Sequence, residues 1–152
     1  MHLLAGMQIL NLAYNAPGPA AARRLQTLGA RVIKVEPPGG DPLSRYCPAW
    51  YGSLITGQTV LSLDLKQPAG RTTLEDWLAG SDLLITSVRL ESLERLQLGW
   101  QSLHARHPHL CHVAITGSPA PCADLPGHDL TYLAQAGLLE PPWMPRTLLA
   151  DL

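Results

Sequence analysis

Residues 7–14 read MQILNLAY, residues 15–30 NAPGPAAARRLQTLGA and residues 31–36 RVIKVE, and the succession of these three stretches decides the fold. The first is a short apolar run bounded by the turn formers Asn15, Pro17 and Gly18, which suits a buried strand. The second predicts a helix: Pro19 stands near its first turn, the alanine-rich segment through Leu28 has high helix propensity, and Gly29 is a natural C-terminal stop. The third, with the β-branched Val32, Ile33 and Val35, reads as another strand. A strand, a helix and a strand in so short a span form a βαβ unit, whose right-handed crossover sets the two strands parallel in one sheet. The first strand-to-helix loop carries Pro17, Gly18 and Pro19 where a dinucleotide site would have GxGxxG, which disfavours a nicotinamide cofactor.

The alternation continues downstream. Residues 37–58, rich in Pro and Gly at their start and containing Tyr46, Trp50 and Tyr51, read as an irregular segment with the aromatics as core or lid packing. A strand follows at 59–65, then a helix that Pro68 opens and Gly80 stops, and a strand at 82–86. Leu90, Leu93, Leu96 and Leu98 give a short amphipathic helix with Glu91, Glu94 and Arg95 on its polar side. A helix from Trp100 to His107, a strand at 110–116 and a helical stretch at 129–136 complete the series. Pro141, Pro142 and Pro145 then forbid regular structure. The expected fold is α/β, Rossmann-like, with an open, mostly parallel sheet and flanking helices.

The composition suits one buried core. The chain has 152 residues, 46% hydrophobic and only 15% charged, a balance that excludes a strongly solvated, disordered chain. With 11 Lys and Arg against 12 Asp and Glu, the net charge of −1 gives no long-range field for nucleic acid or an anionic membrane, so an anion would be bound locally. Apolar runs are strand-sized, and the N-terminus has no basic region followed by a long apolar one, so a soluble, cytoplasmic protein is expected. Cys47, Cys111 and Cys122 form no CxxC pair and are expected as free thiols. His104, His107, His109 and His112 crowd together, but Pro108 ends any helix between them, so no metal site is expected.

Three ordered motifs carry a resemblance: APGP at 16–19, LGARVIKVEPPGGD at 28–41 and LDLK at 63–66. Together with LERLQLG at 93–99, the HPHL turn at 107–110 and PGHDLTY at 126–132, they are similar to the N-terminal part of the family III CoA-transferases, which include the α-methylacyl-CoA racemases. The resemblance implies a Rossmann-like domain that grips coenzyme A at residues 1–140, with 141–152 a Pro-rich segment carrying an aspartate and the family's second domain absent. It implies acyl-CoA or CoA as the partner and substrate, no tightly bound cofactor, and a possible interlocked homodimer. The residues that match the coenzyme-binding positions are Asn15, Ala16, Leu65, Lys66, Ser87, Arg89 and Arg95.

The resemblance also assigns His128 and Asp151 as catalytic. Racemase-like members carry histidine at the His128 position where many transferases have an aromatic residue. Epimerising a carbon beside a thioester needs one group to remove the α-proton and another to return a proton on the opposite face, and a His/Asp pair can do both near neutral pH. In the transferase branch the same aspartate attacks the thioester, giving a mixed anhydride and then an enzyme-bound CoA thioester. The alternative for His128 is a capping or core histidine at a helix start, and for each arginine a solvated helix surface.

A lost basic pair and the absent second domain weigh toward a third class, a truncated, catalytically incompetent CoA-binding or scaffold module. Gln58 and Thr59 replace a basic pair often found before the LDLK strand, and Glu91 adds a negative charge where a phosphate would pass.

Overall fold

The computed structural model describes residues 2–119 and 121–146. Five parallel strands, β1 (Gln8–Asn11), β2 (Arg31–Glu36), β3 (Thr59–Ser62), β4 (Leu83–Thr86) and β5 (Cys111–Ala114), form one sheet in the order β3-β2-β1-β4-β5. The chain therefore runs outward from β1 through β2 to β3, then returns to the other side of β1 for β4 and β5. The order reverses between β1 and β4, and crevices at such a reversal, beyond the carboxyl ends of the strands, are where open α/β sheets bind ligands.

Helices α1 (Pro17–Thr27), α4 (Pro68–Ala79), α5 (Leu90–Arg95) and α6 (Trp100–Arg106) connect the strands. The central strands are apolar on both sides, as a sheet covered on two faces demands. Leu10, Leu12, Ile33, Val35 and Leu84 pack with Leu74, Leu78, Leu93 and Leu103 from α4, α5 and α6. The alternate residues Ile9, Ala13, Val32 and Ile85 pack with Ala22 of α1. The alanine-rich composition of α1 lets its axis approach the sheet closely, and Gly18 takes this furthest. A Cβ there would lie 2.0 Å from that of Ala13. Gly18→Ala is expected to cost about 1–3 kcal/mol through overpacking, measured by chemical denaturation.

At the other end of α1, Gly29 adopts φ +104°, and the Gly29 and Ala30 amides donate to the carbonyls of Gln26 and Leu25. That is how the helix stops. Residues 37–58, expected to be irregular, instead contain two short helices, α2 (Leu43–Tyr46) and α3 (Pro48–Ile55). Pro42 and Pro48 start them, and Leu43 and Leu54 are buried beneath. Two helices of one to two turns leave too short an apolar stripe to be seen in the sequence.

The chain divides into two units, residues 1–115 and 116–152. In the second, α7 (Asp129–Gln135) is the one regular element among the described residues. Tyr132 of α7 lies where only glycine fits beside it: a Cβ on Gly127 would stand 2.7 Å from its ring.

His112 on β5 is half-buried, its Nε2 3.0 Å from Thr86 Oγ1 and its ring 6.5 Å from that of Trp100. Burial pushes its pKa below the ordinary value of 6.5. The unfolded chain then binds the proton first, so stability is expected to fall as pH drops below 6.5. His112→Gln should flatten that slope in denaturation curves taken at several pH values.

Candidate functional site

At the carboxyl ends of β1 and β4 the two loops are joined by a hydrogen bond, Tyr14 N donating to Ser87 Oγ at 2.9 Å. The first loop then turns at Asn15, whose φ of +62° is left-handed, a region that asparagine tolerates better than most residues. Between the loops following β1, β2, β3 and β4 lies a cavity of about 220 Å³. Leu12, Tyr14, Val35, Leu63, Val88 and Leu93 supply much of its largely apolar wall, and the charged Asp64 and Lys66 also line it. It can take a flat apolar group with a cation nearby for an anionic substituent.

The structure gathers most of the expected binding segments here. Leu65 and Lys66 line the cavity directly, while Asn15 and Ala16 follow its Tyr14 and Ser87 precedes its Val88. The LDLK segment is shaped by Asp64, whose carboxylate accepts from Lys66 N at 3.0 Å and whose carbonyl accepts from Gln67 N. The two arginines behave differently. Arg89 is the exposed N-cap residue of α5, and Arg95 turns back along that helix, with Nη2 3.0 Å from Ser92 Oγ and Nε 3.3 Å from the Glu91 carbonyl. Neither lines the cavity.

Pro17 and Pro19 have no N–H, so the first turn of α1 offers an anion few donors, unlike the pyrophosphate cradle of a dinucleotide fold. The Gln58–Thr59 pair precedes or opens β3, whereas Lys66 follows its far end. Its lack of charge therefore bears on the opposite end of the strand from the cavity.

Sequence reasoning missed a buried ionic cluster behind Tyr14. Lys34 of β2 is fully buried, and its Nζ donates to the Ala13 carbonyl at 2.7 Å, pairs with Asp41 Oδ2 at 3.0 Å and lies 4.9 Å from the centre of the Tyr14 ring. Asp41 Oδ1 accepts from the amides of Asn15 and Leu43, both at 3.0 Å. Glu36 accepts from Tyr51 Oη at 2.6 Å, and Tyr46 Oη donates to Asn15 Oδ1. Burial first, then the hydrogen bond and charge of Glu36, hold the Tyr51 hydroxyl far above its usual range, so it remains a donor. A lysine inside the run RVIKVE was the available signal, because a charge in a strand buried on both faces requires partners.

A larger, more open cavity of about 400 Å³ shares Leu65, Leu96 and Leu98 with the first. Three of its charged lining residues are engaged: Arg106 reaches Glu75 Oε1 at 3.0 Å and Arg71 Nε donates to the Leu65 carbonyl at 2.8 Å. Glu75 also meets His107 Nε2 at 2.9 Å. Burial would raise the Glu75 pKa, but the hydrogen bonds from His107 and Arg106 outweigh it and hold the carboxyl below its usual value. This cluster fastens α6 to α4.

In the second unit His128 is the exposed N-cap residue of α7, with its backbone N 3.5 Å from Thr131 Oγ1. Asp129, which follows it, is buried. Asp151 lies outside the described residues.

Residues 4–141 match the profile of CoA-transferase family III. The chain belongs to that family. This family III chain is 39% identical to the human α-methylacyl-CoA racemase over 97% of its own length, and 32% identical to the cinnamoyl-CoA:phenyllactate CoA-transferase of Clostridium sporogenes over 90%. It spans 39% and 37% of those two relatives. Among solved structures it resembles a hypothetical protein of Mycobacterium tuberculosis, with TM-score 0.86 and 27% identity, covering 99% of this chain and 45% of that one. It also resembles a CaiB/BaiF family protein of Brucella suis, with TM-score 0.83 and 28% identity, covering 97% and 44%. No helix among the described residues is long and apolar enough to cross a membrane.

Proposed function

We propose that this family III chain binds an acyl-coenzyme A thioester at the reversal between β1 and β4. The observation that carries the reading is the apolar cavity that Tyr14, Leu65, Lys66 and Val88 line together. Its size and polarity suit the adenine of coenzyme A. Lys66 would then meet a phosphate, with Arg89 and Arg95 available on the exposed surface of α5.

The proposed chemistry acts on the acyl group. In the epimerising form, His128 or Asp151 removes the α-proton, the electron pair moves to the thioester oxygen, and the other group returns a proton to the opposite face. In the transfer form, Asp151 attacks the thioester carbonyl and coenzyme A leaves as the thiolate, giving a mixed anhydride; the thiolate then attacks the aspartyl carbonyl, releasing the donor acid and leaving an enzyme-bound CoA thioester. Attack by the acceptor carboxylate, followed by return of the thiolate to the acceptor's carbonyl, gives the new acyl-CoA and frees Asp151. The His128 position and the 39% identity to a racemase favour the epimerising form. The N-cap placement of His128 fits the alternative, a CoA-binding or scaffold module without catalysis.

Three measurements on the same protein separate the three. Incubating the protein with a 2-methylacyl-CoA in deuterium oxide should place deuterium at the α-carbon, and His128→Ala should reduce the exchange at least 100-fold. Unchanged exchange in His128→Ala would end the epimerising reading. Transfer of CoA to a free carboxylic acid that Asp151→Ala abolishes would establish the second form. Binding with neither activity would leave the module.

A further inference from the structure

We infer that the buried Lys34–Asp41 pair is a positioning device that sets the geometry of the loop from Ala13 to Asn15, whose Tyr14 lines the proposed ligand cavity. The inference rests on the proposed ligand site, which Tyr14 lines. Lys34 grips the chain where it leaves β1, through the Ala13 carbonyl at 2.7 Å, and its ammonium lies 4.9 Å from the Tyr14 ring centre. Asp41, drawn in by Lys34 at 3.0 Å, accepts the Asn15 amide at 3.0 Å. The pair thus fixes three successive residues, 13 to 15, from two directions. Tyr14 N is at the same time tied to Ser87 Oγ, so the loop after β4 inherits the same alignment.

Both members are fully buried, and a buried ion pair is a poor source of net stability: its desolvation cost is comparable to its attraction, and apolar replacements of similar volume are often neutral. What it provides instead is direction. A charged acceptor holds Asn15 more tightly than a neutral one and keeps a non-glycine residue in the left-handed region, where an unsupported loop would relax. Glu36 completes the arrangement from behind: its Oε2 accepts from Asp41 N at 3.3 Å, and its Oε1 lies 3.8 Å from Lys34 Nζ while accepting from Tyr51. Lys34 and Asp41 act through Tyr14 and Asn15 and are positioning residues.

The test is the double variant Lys34→Met with Asp41→Asn, which removes the charges at nearly constant shape, beside Asp41→Asn alone. Each is compared with the natural chain by thermal melting, by hydrogen exchange at the Asn15 amide and by coenzyme A titration. The expected result for the double variant is a melting midpoint close to that of the natural chain, an Asn15 amide exchanging at least tenfold faster, and coenzyme A affinity at least tenfold weaker, while Asp41→Asn alone, which strands the buried Lys34 ammonium, should also melt lower. Unchanged exchange and unchanged affinity would overturn the inference. Failure of both variants to fold would overturn it too, because the pair would then be holding the fold itself. If the natural chain does not bind coenzyme A, the proposed ligand is wrong, and the Asn15 exchange rate still decides whether the pair positions the loop.

Discussion

Lys34→Met alone is expected to destabilise the protein by about 3–5 kcal/mol, because it leaves Asp41 buried beside Glu36 with no compensating cation. The loss exceeds what the removed contacts are worth in a neutral pair. It is the cost of an uncompensated charge in a low dielectric, together with the Ala13 carbonyl losing its donor. Urea denaturation at neutral pH reads the effect directly, and adding Asp41→Asn should restore most of the loss by removing the stranded charge. A change under 1 kcal/mol in the single variant would mean that water or a backbone shift reaches Asp41, and that the cluster is not the closed unit its distances describe.

Val88→Trp carries the second large effect, on binding. Val88 lines the cavity of about 220 Å³ from the β4 side, half-exposed, at the start of a loop. An indole there fills space that the ligand would use. Coenzyme A affinity is expected to fall more than tenfold, or over 1.4 kcal/mol, in isothermal titration, while the melting midpoint stays close to that of the natural chain. Equal affinity in the filled variant would place the ligand elsewhere.

Much of the fold was legible because the signals are local and mutually consistent. RVIKVE forms a strand over the same residues, Arg31–Glu36, and Pro68 and Gly80 bracket α4 at Pro68–Ala79 as expected. The strands shrank at their ends: MQILNLAY contributes only Gln8–Asn11, since its last residues bend into the loop that Lys34 and Ser87 hold. The helices at Leu43–Tyr46 and Pro48–Ile55 were invisible because Pro42, Pro48 and nearby glycines read as loop formers, while Leu43 and Leu54 bury too little to set a period.

For the site, the motif LDLK at 63–66 led to the cavity wall because that strand end is where a parallel sheet presents its loops. The ionic cluster could not be read in the same way. Lys34, Glu36 and Asp41 are near in sequence, but their partners Ala13, Asn15 and Tyr51 come from two other segments, and only the sheet register Asn11↔Lys34 brings them together. Arg89 and Arg95 show the converse: matched by sequence position alone, they are exposed and do not line the cavity.

The most direct measurement of the central claim is a coenzyme A titration of this chain followed by heteronuclear NMR. Saturable shifts confined to the amides of Tyr14 to Ala16, Leu65, Lys66 and Ser87 to Arg89 are the expected result, with the strand amides of β5 unmoved. No shift at these positions at millimolar coenzyme A would contradict the account and leave a family III scaffold without its ligand.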